Sequence, residues 1–206
     1  MASTEASTEE RILTAAHTVF VRDGTRAASL KDIAEEADVN QALLHYYFSD
    51  KKTLADTVFE QVASDFLPRL KAILTSEQSI EEKVRTFVPK YIEQVRANPY
   101  LPAYIVGELN HNPDELKERL RSMGLVPFED IDTLDDQLRR RAEEGTLRPI
   151  SAEQFVVNLI ALSIFPFIGR PLIEAMMGMD DDAFDAFIHE RVEHIPEFVI
   201  MSLRPT

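Results

Sequence analysis

The chain of 206 residues contains no cysteine. That absence removes disulfide scaffolds, thiolate metal sites and thiol nucleophiles in one step, and it suits a reducing compartment. Glycine is scarce, with 6 residues, and none is arranged as a phosphate-binding loop. Long hydrophobic runs are missing as well. The longest apolar stretch, residues 155–168, is broken by Asn158, Ser163 and Pro166 and falls short of the roughly 20 residues a membrane span needs. The opening MASTEASTEE is acidic and polar, unlike a signal peptide. Positive charge is in the minority: 22 basic residues face 36 acidic ones, a formal net charge of -14. Taken alone, that balance speaks against nucleic acid as a partner. The expectation is a cytoplasmic protein with no membrane partner and no cofactor.

Enzyme signatures are absent too. There is no Gly-x-Ser-x-Gly, no His-Glu-x-x-His and no EF-hand loop. The 5 histidines, His17, His45, His111, His189 and His194, are scattered. His189 and His194 fall on different faces of one helix, where shared metal ligation fails. No enzyme and no metal site are expected.

What is present is helical periodicity. Ser7-Thr8-Glu9-Glu10 forms a capping box before an apolar stripe of Ile12, Leu13, Ala16, Val19 and Phe20, and Gly24 supplies a left-handed stop. Ser29 caps a short helix to about Ala37, and Asn40 caps another through Tyr47. Asp50 opens a long helix with Leu54, Val58, Val62, Phe66 and Leu70 at every fourth position, and Pro68 near its end marks a kink. Ser79-Ile80-Glu81-Glu82 and Ser151-Ala152-Glu153-Gln154 are further capping boxes. Helices are expected over residues 80–98, 99–110, 114–123, 127–144, 152–165 and 181–203. No segment alternates as a strand does, so the class is all-α.

The two short helices joined by Asp38-Val39 have the outline of a helix-turn-helix, whose second helix enters a major groove about 12 Å wide. Val39, Leu44 and Phe48 fit its inward face, which leaves Gln41, Ala42, Leu43, His45 and Tyr46 outward. A plain helical hairpin with half-buried aromatics fits the pattern alone about as well.

Residues 11–54 resemble the DNA-binding domain of the tetracycline-repressor (TetR) family. The resemblance lies in Arg11-Ile12-Leu13 with Ala15-Ala16 through Phe20 to Gly24, in Leu30-Lys31-Asp32-Ile33-Ala34-Glu35-Glu36-Ala37-Asp38-Val39, and in Leu44-His45-Tyr46-Tyr47-Phe48-Ser49-Asp50-Lys51-Lys52 with Leu54. It implies that Gln41, Ala42, Leu43 and His45 face base edges and that Tyr46 and Tyr47 touch phosphates. Lys51 would meet the DNA backbone, and Ser29 and Lys31 would flank neighbouring phosphates. His45 stands where relatives commonly carry Tyr, Tyr47 where they carry His, and Leu43 where a small or hydroxylated residue is common, so no relative's operator transfers to this chain. Residues 1–74 carry a net charge of -4 and residues 75–206 a net charge of -10. Any DNA affinity must therefore come from local placement of Arg26, Lys31, Lys51 and Lys52.

The implied organisation is a helix-turn-helix DNA-binding domain over 1-50, joined by a long helix to a helical effector-binding and dimerisation domain over 51-206. Phe87, Tyr91, Tyr104, Met123, Phe128, Phe165 and Met176 are candidates to line an effector pocket, although aromatics and methionine at helical spacing are more often plain core. Phe155, Leu159, Leu162, Phe184, Ile188, Ile195 and Val199, on the last two long helices, are candidates for pairing with a second copy in a four-helix bundle. The function expected from the resemblance is a ligand-responsive transcriptional regulator, a repressor that binds a palindromic DNA operator as a homodimer and answers to an unknown small-molecule effector. The rival expectation is a helical small-molecule or protein-binding module without DNA binding, which the acidic balance favours.

Overall fold

A computed structural model of the chain describes residues 7–124 and 131–205. Eleven helices and no strand occur among the described residues: α1 (Thr8–Ala27), α2 (Leu30–Glu36), α3 (Gln41–Tyr47), α4 (Lys51–Leu74), α5 (Ile80–Ala97), α6 (Leu101–His111), α7 (Pro113–Ser122), α8 (Asp132–Glu143), α9 (Ala152–Ile168), α10 (Arg170–Met177) and α11 (Asp181–Ser202). Reciprocal capping boxes open α1 at Ser7 and Glu10, α2 at Ser29 and Asp32, and α5 at Ser79 and Glu82. Each satisfies two backbone donors that a helix start would otherwise leave bare. Asn40, Asp50 and Asp180 cap α3, α4 and α11 singly.

Several expectations need correction. Ser151 accepts from the backbone N–H of Gln154, but Gln154 returns nothing, so no box forms there. Asp135 on α8 takes the Ala152 N–H instead. Gly24 does interrupt the helix as expected, with φ 75 and a non-helical ψ of 156, and a further turn follows that break to Ala27. The short α10 was not read from the sequence at all; it follows α9 at a bend of 71°, after Gly169. The expected start at Pro127 lies outside the described residues, and α8 begins at Asp132 among those described.

The buried apolar side chains fall into two clusters. One gathers α1 to α3 and the first half of α4, through Leu54, Val58 and Ala63, and continues into Tyr100, Leu101, Tyr104 and Leu116 of the α6–α7 region. Residue 50 is therefore no seam in the packing. The other begins at Leu70 on α4 and runs through α5, α8, α9 and α11. Long α4, unbroken through Pro68, serves both. His17 on α1 meets the Asn98 amide oxygen at 2.7 Å, and its ring lies edge-on to Tyr100. Where α4 ends, Lys83 of α5 is fully buried, donating to the Leu74 carbonyl at 2.7 Å and to Gln137 of α8 at 2.6 Å. Burial pulls its pKa down, because a charged ammonium loses its hydration there.

No single helix among the described residues is long and apolar enough to cross a membrane.

Candidate functional site

The α2–α3 unit is built around a backbone turn. Ala37 closes α2, and Asp38 follows in the left-handed region at φ 52. The Asp38 N–H returns to the Glu35 carbonyl and the Val39 N–H to that of Ala34, which together make a Schellman motif. Arg11 on α1 donates to the Ala37 carbonyl at 2.7 Å and to that of Asp38 at 3.2 Å, fixing the turn against the first helix. Leu44 and Phe48 anchor α3 in the core, and half-buried Val39 packs beside them. The opposite face is left to solvent. Gln41, Ala42, His45 and Tyr46 are exposed and Leu43 is half-buried. Tyr46 is 81% exposed and meets the ring of Tyr47 edge-on at 5.3 Å. An exposed aromatic pair on a rigid two-helix unit is a surface with no internal purpose.

The flanking cations are less free than expected. Lys51 donates to the carbonyls of Arg26 at 3.2 Å and Ala28 at 2.9 Å, closing the α1–α2 turn from below. Lys52 bridges Asp56 at 2.9 Å and Glu115 at 2.8 Å. Ser29 spends its hydroxyl on Asp32, at 2.6 Å. Lys31 and Arg26 remain exposed, with Lys31 3.6 Å from Glu35.

Two turns into α4 lies a polar cluster that was not singled out in the sequence. Asp56 accepts from the Tyr104 hydroxyl at 2.6 Å and from Arg119 at 2.7 Å. Arg119, 8% exposed along its side chain, also donates to Tyr104 and pairs with Glu60 and Glu115. Burial raises the Asp56 carboxyl, but the hydrogen bonds from Tyr104, Arg119 and Lys52 outweigh it and hold the group below the usual carboxylate range. The clue was available: Arg119 sits between Leu116 and Leu120 on the apolar stripe of α7, where a lone cation needs a partner.

Beside this cluster the helices enclose an apolar cavity of about 310 Å³. Its walls include Phe59 and Phe66 of α4, Tyr91 of α5, Ile105 of α6, Leu120 of α7 and Ile160 of α9. Of the side chains expected in an effector pocket, Tyr91 lines it. Phe87 is buried core stacked on Tyr91, and Tyr104 belongs to the polar cluster. Met123 is half-buried against the first apolar cluster, and Phe128 lies outside the described residues. Phe165 and Met176 stand outside the cavity, 55% and 68% exposed: the face of α9 that carries Phe165 points away from the core, while Ser163 and Pro166 point in, and Met176 lies on α10, which buries no residue.

The expected dimer residues lie inside this chain. Phe155, Leu159, Phe184, Ile188, Ile195 and Val199 are buried in this chain's own second cluster, with Leu162 half-buried against it. A side chain committed to its own core has no surface to offer a partner. Other residues of the same helices do: Val157 and Phe165 on α9, and Phe198 and Met201 on α11, are exposed at helical spacing. Among the described residues, no group of three or more His, Asp or Glu side chains is placed to hold a metal ion.

The family description "Bacterial regulatory proteins, tetR family" matches residues 12–58, the segment from α1 through the first turns of α4. The HTH-type transcriptional regulator RutR of Escherichia coli is 25% identical over 203 residues, spanning 96% of this chain and 91% of that protein. The fatty acid degradation regulator FadR from Bacillus halodurans has the same fold, with a TM-score of 0.61 at 17% identity, over 94% of this chain and 97% of that one. FadR from Bacillus subtilis, solved in complex with stearoyl-CoA, superimposes with a TM-score of 0.58 at 16% identity, over 89% of this chain and 95% of that one. The segment that holds α2 and α3 is thus similar to the tetR family of bacterial regulatory proteins, and the chain as a whole shares its fold with solved regulators of that kind.

Proposed function

We propose that the protein is a cytoplasmic, homodimeric repressor that holds a palindromic operator through α3 and releases it when a small molecule enters the central helices. One observation carries the reading: α3 presents Gln41, Ala42, His45 and Tyr46 to solvent while Leu44 and Phe48 hold it rigidly from behind. Gln41, Ala42, Leu43 and His45 then meet base edges, and Tyr46 and Tyr47 meet phosphates. Lys31 and Arg26 supply the charge beside them. Lys51 acts chiefly by fixing the turn before α2, and Ser29 by capping α2 so that its backbone amides face a phosphate. In this reading residues 1-50 read DNA, while residues 51-206 bind the effector and pair the two copies. Pairing uses Val157 and Phe165 of α9 with Phe198 and Met201 of α11, the apolar residues those helices leave uncovered. The stearoyl-CoA complex of the Bacillus subtilis neighbour supports a small-molecule effector.

The effector acts only through unequal affinity for the DNA-competent and DNA-incompetent states. The expected coupling is about 1–3 kcal/mol, with operator DNA lowering effector affinity by the same factor. Selection of bound sequences from a random DNA pool tests the whole reading. An enriched inverted repeat with half-site centres roughly 34–36 Å apart is the expected result, and His45→Ala should change its base preference. No enrichment would favour the rival, a binding module without DNA contact, which draws support from the net charge of -14 and from the internal engagement of Lys51 and Lys52.

A further inference from the structure

A proline inside a helix leaves the carbonyl four residues back without its N–H donor, and the proline ring pushes that carbonyl outward. Helices α4, α5, α9 and α11 each hold one such proline, at Pro68, Pro89, Pro166 and Pro196. Pro68 and Pro89 free the carbonyls of Ser64 and Arg85, both exposed residues that water reaches. Pro166 is different. It is buried, and it frees the carbonyl of half-buried Leu162 within α9. Among the described residues, that carbonyl alone of the four is answered by a side chain from another helix: the Arg191 guanidinium of α11 donates to it at 2.8 Å.

The surroundings of Arg191 are otherwise poor for a cation. Its guanidinium lies over the Phe187 ring at 5.5 Å, its Nε is buried without a partner, and it joins no ion pair among the described residues. Burial also works against its charge and lowers its pKa. Such a group is destabilising by itself. What it supplies is the hydrogen bond that Pro166 removes.

Both ends of this tie lie beside exposed apolar residues. Phe165 comes just before Pro166 and Ile168 two residues after it, both exposed on the last turn of α9, beyond which the chain bends by 71°. One turn earlier the Ser163 hydroxyl bonds back to the Leu159 carbonyl at 2.7 Å, a second departure from regular pairing in the same stretch of helix. On α11, Phe187, Arg191 and Phe198 stand at i, i+4 and i+11, on one side of the helix. Arg191 therefore joins the weakened part of α9 to the stripe of α11 that carries Phe198.

We propose that Arg191 is a positioning residue for the pairing of two copies: it stands in for the N–H that Pro166 lacks and so fixes the last turn of α9, with Phe165 on it, at the angle to Phe198 and Met201 that a second copy meets. The inference rests on the pairing reading for its consequence, while the tie itself stands on the geometry of one chain.

Sedimentation equilibrium of the full chain, with helical circular dichroism beside it, tests this on the wild type, Arg191→Met, Pro166→Ala and the double variant. Arg191→Met should raise the dimer dissociation constant about tenfold, the worth of a charge-assisted hydrogen bond, and Arg191→Lys, whose ammonium still reaches for the carbonyl, should raise it less than about threefold. With Pro166→Ala, residue 166 regains its N–H, so adding Arg191→Met should change the constant less than about twofold. An arginine that merely packs on α11 would weaken pairing equally in both backgrounds. That result overturns the proposal, as does an Arg191→Met variant that pairs like the wild type. If Arg191→Met alone fails to fold, a folded double variant supports the tie and an unfolded one overturns it. A wild type that sediments near 23.4 kDa overturns the pairing reading and with it the role given to Arg191, whereas a dimer without the coupling overturns this inference alone.

Discussion

At Asp38 an aspartate occupies a backbone conformation that glycine adopts without steric cost. Its side chain lies in water, so the residue is there for the turn and for a distant attraction to Arg11 at 4.0 Å. Asp38→Gly should relieve the left-handed strain and change stability by no more than about 1 kcal/mol, whereas a β-branched Asp38→Val should cost about 1–2 kcal/mol. Thermal melts of the two variants check the difference. Asp56 is the opposite case, held by what it touches. Its carboxyl lies lower in the folded chain than in the unfolded one, so its stabilisation is fully present above the unfolded value near 4 and is lost as pH falls through the folded value. Asp56→Asn should cost about 2–3 kcal/mol at neutral pH, since Arg119 keeps Glu60 and Glu115. The variant should also lose stability less steeply in acid than the wild type, which urea titrations at several pH values would reveal. If its acid dependence matched the wild type, the carboxyl would not be the titrating group.

Among the elements, α9 and α11 explain why part of the chain was legible and part was not. Caps and periodicity located α1 to α5 and α11 closely, because Ser, Asp and Asn at helix starts and apolar stripes behind them are local signals. The exposed face of α3 followed from Leu44 and Phe48 alone. The stripe of α9 was ambiguous, since that helix is apolar nearly all round and periodicity groups residues by face without saying which face the rest of the chain will cover. Packing against α5 and α11 chose the side of Phe155 and Leu159 and left Val157 and Phe165 outside. The two sets should therefore respond differently. Leu159→Ala should cost about 2–5 kcal/mol of stability through the space it vacates. Phe165→Glu together with Phe198→Glu should leave the helical signal intact and yield a monomer near 23.4 kDa by sedimentation. A double variant that still sediments at twice that mass would exclude this face from pairing. The polar cluster and the cavity were out of reach for a different reason: Asp56, Tyr104 and Arg119 meet only because three helices cross.

For the molecule as a whole, the sharing of α4 between two apolar clusters implies that the reading head and the central helices unfold together rather than in turn. Helical circular dichroism and tyrosine fluorescence should give coincident transitions in urea, and separated midpoints would mean that the head melts on its own. Lys83 extends the point. The chain has seven lysines, and the other six are exposed or half-buried while Lys83 is fully enclosed at the junction of α4, α5 and α8. An acylating reagent added to the native protein should modify those six and spare Lys83 until that junction opens. Peptide mass mapping at this single amine is thus an intrinsic clock of opening events, and its labelling rate in native buffer should slow whenever a ligand or a second copy fastens the central helices.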